Sequence, residues 1–128
     1  MKITFLGTGT SQGIPIIGST HPVCLSKNPK DKRLRVSVLL EWESSTLLID
    51  CGPDFRQQML REQIQDIRAI LFTHEHKDHL AGLDDVRAFN FKHQKDMHVY
   101  CDLNVQKALL REFPYVFSDF MSVSYTHL

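Results

Sequence analysis

Phe72-Thr73-His74-Glu75-His76-Lys77-Asp78-His79-Leu80 decides how this chain is read. Three of the seven histidines fall within six residues, with carboxylates between them. Imidazole and carboxylate are the donors that borderline divalent ions such as Zn²⁺ prefer. The short apolar run Ala69 to Phe72 enters this segment and reads as a buried strand. A helical pattern follows from Leu80, so the polar cluster sits at the carboxyl edge of a strand, where open α/β sheets bind ligands. Residues two apart in extended chain point the same way, so His74 and His76 can grip one ion. As the chain turns into the helix, Asp78 and His79 can address a second. Two ions ~3.5–4 Å apart can activate a bridging water and neutralise a leaving oxygen. Glu75 and Lys77 alternate with these donors and are expected to point away. The bland alternative is a solvated helix start that happens to be rich in histidine. Four donors in six residues between two regular elements argue against it.

Working outward, the pattern predicts strands over Ile3 to Leu6, Arg35 to Trp42, Thr46 to Asp50, Ala69 to Phe72 and Met97 to Cys101. Glu43-Ser44-Ser45 suggests a hairpin turn. Pro53 is expected to open a helix whose apolar stripe is Phe55, Met59 and Leu60. A second helix is expected from Leu80 to about Phe91, with Leu83, Val86 and Phe89 or Asn90 on one side. Asp102 can cap a third, running through Val105, Leu109 and Leu110 to Phe113, where Pro114 stops it. Strands mixed with helical crossovers give an α/β layered architecture.

Length and composition agree with a single domain over residues 1–128. The chain has 128 residues, 42% hydrophobic and 23% charged, and no low-complexity segment. Fifteen basic and fifteen acidic residues cancel, so bulk charge gives no nucleic-acid footprint and leaves that partner open. No apolar run approaches the ~20 residues of a membrane helix, so no membrane partner is expected. Cys24, Cys51 and Cys101 are odd in number and widely spaced, which favours free thiols and a cytoplasmic location. Cys51 and Cys101 are expected in the core. Gly7, Gly9 and Gly13 follow the first strand with G-x-G-x-x-x-G spacing, and Pro15 stands where a nucleotide-binding helix should begin. A tight turn is the better reading. Lys27, Lys30, Lys32, Arg33 and Arg35 crowd one loop. Such a run is more often solvated than phosphate-steering.

His74-x-His76-x-Asp78-His79 resembles the H-x-H-x-D-H signature of the metallo-β-lactamase superfamily. Gly7-Thr8-Gly9-Thr10-Ser11-Gln12-Gly13-Ile14-Pro15 resembles the start of its phosphodiesterase branch. Leu47-Leu48-Ile49-Asp50-Cys51-Gly52 resembles the strand and D-x-G turn that precede the signature. The PhnP-like cyclic phosphodiesterase group is the nearest match, with ribonuclease Z more distant, and the resemblance runs from Met1 to about Pro114. It implies an αββα sandwich and a binuclear hydrolase with two divalent ions, zinc first and manganese or iron as alternatives. His74 and His76 would hold one ion and Asp78 and His79 the other. Asp78 would also be catalytic, orienting a metal-bound hydroxide that attacks a small cyclic or nucleotide phosphodiester. Asp50 would hydrogen-bond a ligand histidine, although a turn-forming Asp before Gly52 reads equally well. The alternatives are a tRNA 3′-processing endoribonuclease and a metal-binding fragment without activity. Homodimers are common among such relatives.

The resemblance also implies ligands that this chain does not supply: a later histidine, a bridging aspartate and a final histidine. His93 and His98 come too early and His127 at the extreme end. The expectation is an N-terminal half of the sandwich, truncated at the C-terminus, with one sheet face uncovered and no turnover by itself. Ser124 to Leu128 fits no pattern of the family and reads as adapter-derived. In the PhnP-like group a loop near His21 and Cys24 binds a structural zinc. Two donors are too few for such a site, and an ordered loop with a half-buried cysteine is the stronger reading.

Overall fold

Alternating apolar residues build one mixed sheet, with helices packed on one face. The computed structural model describes residues 1–117. The expected non-native tail, Ser124 to Leu128 with His127, lies outside the described residues. The sheet holds β1 (Lys2–Gly7), β2 (Ser37–Trp42), β3 (Ser45–Ile49), β4 (Ala69–Leu71) and β5 (His98–Tyr100), in that spatial order. β2 runs antiparallel to its neighbours β1 and β3, and β3, β4 and β5 run parallel. Trp42 pairs with Ser45, so the β2–β3 turn is Glu43-Ser44, with Glu43 at φ 50°. The helices are α1 (Pro22–Leu25), α2 (Phe55–Arg61), α3 (Lys77–Leu80), α4 (Arg87–His93) and α5 (Leu103–Glu112). The α/β class expected from the sequence is the class observed.

Register separates the two faces. Thr4, Leu39, Leu48, Ile70 and Val99 stand side by side across the five strands. Leu39, Leu48 and Ile70 of this row are fully buried, in one core with Leu6 and with Phe55, Met59, Leu80, Leu83, Val86, Val105 and Leu109. The opposite face carries Phe5, Val38, Ile49, Leu71 and Tyr100 in one row and Ile3, Leu40, Leu47, Ala69 and His98 in the next. Phe5 is 68% exposed and Tyr100 59%. That apolar face is uncovered by any described element.

Several local expectations are corrected. Helix α2 begins at Phe55, not at Pro53, because Asp54 is its N-cap residue and turns its carboxylate to the Arg35 guanidinium and backbone N–H instead. Leu60 and Leu110 are exposed; Gln58 and Ala108 take the buried positions beside Met59 and Leu109. The helix expected from Leu80 to Phe91 is three pieces: α3, a 3₁₀ turn over Leu83–Val86, and α4. Its apolar stripe is nevertheless right, since Leu80, Leu83, Val86, Phe89 and Asn90 are all buried. The break falls at Gly82, where a Cβ would meet Gly52 O at 2.1 Å. Helix α5 matches its expected bounds, and the Asp102 carboxylate accepts from the N–H groups of Asn104 and Val105. Cys101 is exposed, not core, because it follows an edge strand. No described helix is long and apolar enough to cross a membrane.

Candidate metal centre

The parallel strands β3 and β4 end side by side, and their carboxyl ends carry the chemistry. After β3 the chain makes the turn Asp50-Cys51-Gly52, with Asp50 left-handed at φ 61°. This turn clasps the segment that follows β4. Asp50 N–H donates to Leu71 O (2.9 Å), Cys51 N–H to His79 O (2.7 Å), and Gly82 N–H to Cys51 O (2.9 Å). Gly52 is required by proximity: a Cβ there would lie 2.0 Å from Asp78 O. Gly52→Ala is therefore expected to cost about 3 kcal/mol of stability, since backbone must move to make room. Urea unfolding checks it, and an unchanged midpoint would refute the close approach.

Asp50 is buried and its carboxylate is the hub. Oδ1 accepts from Thr73 N–H at 2.8 Å, and Oδ2 lies 2.8 Å from His79 Nδ1. Thr73 Oγ1 sits 2.8 Å from Oδ2 and also 3.0 Å from His74 Nδ1. The two readings of Asp50 thus coexist, for it both shapes the turn and holds a histidine. Beyond it the other candidates gather. The rings of His74 and His79 pack with centroids 3.9 Å apart, and those of His74 and His76 lie 4.6 Å apart, edge to face. His79 Nε2 is 3.3 Å from Asp78 Oδ2. Glu75 is exposed, and Lys77 turns away to pair with Glu112. The Lys77 ammonium, with Arg111 adding, holds the Glu112 carboxyl below its usual range.

Thr73 is the residue that the motif-based reading missed; its only signal is its place between the strand and the first histidine. The donor set fits a borderline divalent ion in type. Two of its imidazoles have Nδ1 engaged by Asp50 or Thr73, which is the usual arrangement for a metal-binding imidazole. In number the set is short, because two catalytic ions need about three protein ligands each. Among the described residues, no group of three or more His, Cys, Asp or Glu side chains is arranged to hold an ion. His93 is elsewhere, with Nε2 3.2 Å from Asp66 Oδ1. Cys51 is fully buried, and burial, with Asp85 and Asp50 adding, pushes its thiol well above the ordinary range.

The loop candidates for structural zinc, His21 and Cys24, lie beside and within α1. His21 Nδ1 accepts from Val23 N–H at 3.3 Å and caps α1. Cys24 is buried, and its Ser19 hydrogen bond, then one to the Ile16 backbone, holds the thiol below its ordinary value. The basic stretch is partly structural too. Arg35 pairs with Asp54 (2.9 Å) and donates to Ser11 O (2.7 Å), and Arg33 donates to Thr8 Oγ1 (2.8 Å). These bonds tie the glycine turn to the entry of β2. The apolar cavity of about 470 Å³ between α2 and α4 is lined by Phe55, Met59, Ile64 and Phe89 and includes none of the clustered histidines.

A mixed sheet with helices on one face and a His/Asp cluster at its parallel strand ends defines the class: an α/β domain of the metallo-β-lactamase fold. The profile of the beta-lactamase superfamily domain matches residues 45–127, and the chain belongs to that family. A crystal structure described as a new diphosphatase from the PhnP family is 41% identical, with a TM-score of 0.87, over 98% of this chain and 49% of that one. An octanoyltransferase of Porphyromonas gingivalis is 42% identical over 118 residues, 91% of this chain but 24% of that protein. A ribonuclease Z of Methanopyrus kandleri is 35% identical over 85 residues, 65% of this chain and 25% of that protein. The chain therefore spans about half the length of the solved relative and about a quarter of the curated ones.

Proposed function

We propose that this chain contributes the His/Asp cluster of a divalent-metal phosphodiesterase acting on small cyclic or nucleotide phosphodiesters. The observation that carries the reading is the Asp50 hub, which engages His79 directly and reaches His74 through Thr73, beside His76 and Asp78. His74 and His76 would hold one ion, and Asp78 and His79 the other. Zinc suits these donors first, and manganese or iron also fit them. Ions bound there supply Lewis acidity toward water and toward the phosphoryl oxygens. The Asp78 carboxylate orients the attacking water and accepts its hydrogen bond. Asp50 and Thr73 keep the imidazoles from turning.

Four donors fall short of two complete ligand sets, so turnover needs further ligands from beyond the described residues or from a second copy. Support for phosphorus chemistry comes from the names of the diphosphatase and ribonuclease Z relatives. The octanoyltransferase name describes a protein of which 24% is matched, so it gives no argument for acyl transfer here. Ribonuclease Z supplies the second reading, cleavage of a tRNA precursor.

The test is a substrate panel, with zinc or manganese, on a protein that contains this chain and completes the site. A 2′,3′-cyclic nucleotide and bis(p-nitrophenyl) phosphate are expected to turn over, with rates abolished by chelator. The tRNA precursor is expected to stay intact. Cleavage of the precursor alone would replace this reading with the second, and chelator-insensitive turnover would refute both.

A further inference from the structure

One buried carboxylate governs two imidazoles here, and Thr73 is the link to the second. Thr73 Oγ1 lies 2.8 Å from Asp50 Oδ2, 3.0 Å from Asp50 Oδ1 and 3.0 Å from His74 Nδ1. A hydroxyl has a single proton, and a carboxylate only accepts. Were that proton aimed at His74, the 2.8 Å contact to Asp50 would hold no hydrogen and would set lone pair against lone pair. The hydroxyl therefore donates to Asp50, and its lone pair accepts from His74 Nδ1–H. His74 is left with Nε2 as its bare nitrogen. His79 is held by the same carboxylate directly, its Nδ1–H donating to Asp50 Oδ2 at 2.8 Å.

We propose that Thr73 is a positioning residue that passes the hold of Asp50 to His74, fixing its Nδ1–H tautomer and ring rotation so that His74 and His79 both present Nε2. What those nitrogens bind rests on the metal reading above; the tautomer assignment does not. The side chain is separable from the fold at this point. Thr73 N–H donates to Asp50 Oδ1 at 2.8 Å whatever the side chain is. Thr73→Val thus removes the relay and keeps the anchor, whereas Thr73→Ser keeps both.

The experiment is long-range ¹H–¹⁵N correlation on metal-free protein labelled at histidine, at a pH where the imidazoles are neutral. His74 and His79 are expected to carry their proton on Nδ1 in the wild type. Thr73→Val is expected to move the His74 proton wholly or partly to Nε2 while His79 is unchanged, and Thr73→Ser to restore the wild-type pattern. A His74 still protonated at Nδ1 in the valine variant would overturn the proposal. Loss of the His79 signature as well would also overturn it, because Thr73 would then be holding Asp50 and not His74. Zinc titration of the same proteins gives a separate reading. The valine variant is expected to bind about 10–100-fold more weakly, the usual loss for a supporting hydrogen bond, with serine near wild type. Zinc binding to none of the three would refute the metal reading and leave the tautomer comparison to decide the role of Thr73.

Discussion

Asp50→Ala is expected to destabilise the fold by about 3 kcal/mol, because it strips a buried acceptor from several donors at once. Thr73 N–H, the Thr73 hydroxyl and His79 Nδ1–H all lose their partner. Alanine also tolerates the left-handed φ of 61° less well than Asp does. Asp50→Asn separates the two roles. It tolerates the left-handed backbone and keeps one acceptor oxygen, so its stability cost should be about 1 kcal/mol. It cannot accept from both Thr73 and His79 as a carboxylate does, so zinc affinity should fall about 10–100-fold. Urea unfolding and zinc titration of the two variants check this. An alanine variant within about 0.5 kcal/mol of wild type, the range of ordinary surface changes, would remove Asp50 from the centre of the account.

What was legible in the sequence was whatever local pattern dictates. Helix α5 was readable at both ends because the Asp102 side chain caps it and Pro114 ends it. The apolar strands were readable from β-branched and leucine-rich runs bounded by turns. Donor spacing in His74-x-His76-x-Asp78-His79 marked a candidate site at a strand end, and the structure sets these side chains beside one another.

What was not legible depends on tertiary approach. The break at Gly82 follows from Gly52 backbone packing against it, from 30 positions away in sequence, while the local apolar stripe continues through it undisturbed. Asp54 looked like part of a proline-led helix start, but a guanidinium 19 residues earlier claims its carboxylate. Cys101 looked like core because it ends an apolar run, yet the edge position of β5 leaves it exposed. The dual role of Asp50 and the link through Thr73 need φ and a hydroxyl position, which no spacing rule supplies. Arg33 and Arg35 looked like a charge run and serve instead as ties between the glycine turn, β2 and α2.

The largest effect on binding is expected at His76, the exposed candidate donor. His76 forms no hydrogen bond to Asp50 or Thr73, so its removal should leave the hub and the fold in place while deleting one of four donors. Zinc titration of the chain and of His76→Ala, with metal content confirmed by elemental analysis, therefore tests the central claim most directly. The predicted result is saturable binding by the wild type and a loss of about two orders of magnitude in affinity for His76→Ala, because the ion it would share with His74 keeps only one of these donors. Equal binding by the two proteins, or no binding by the wild type, would contradict the assignment of His74, His76, Asp78 and His79 as a metal centre.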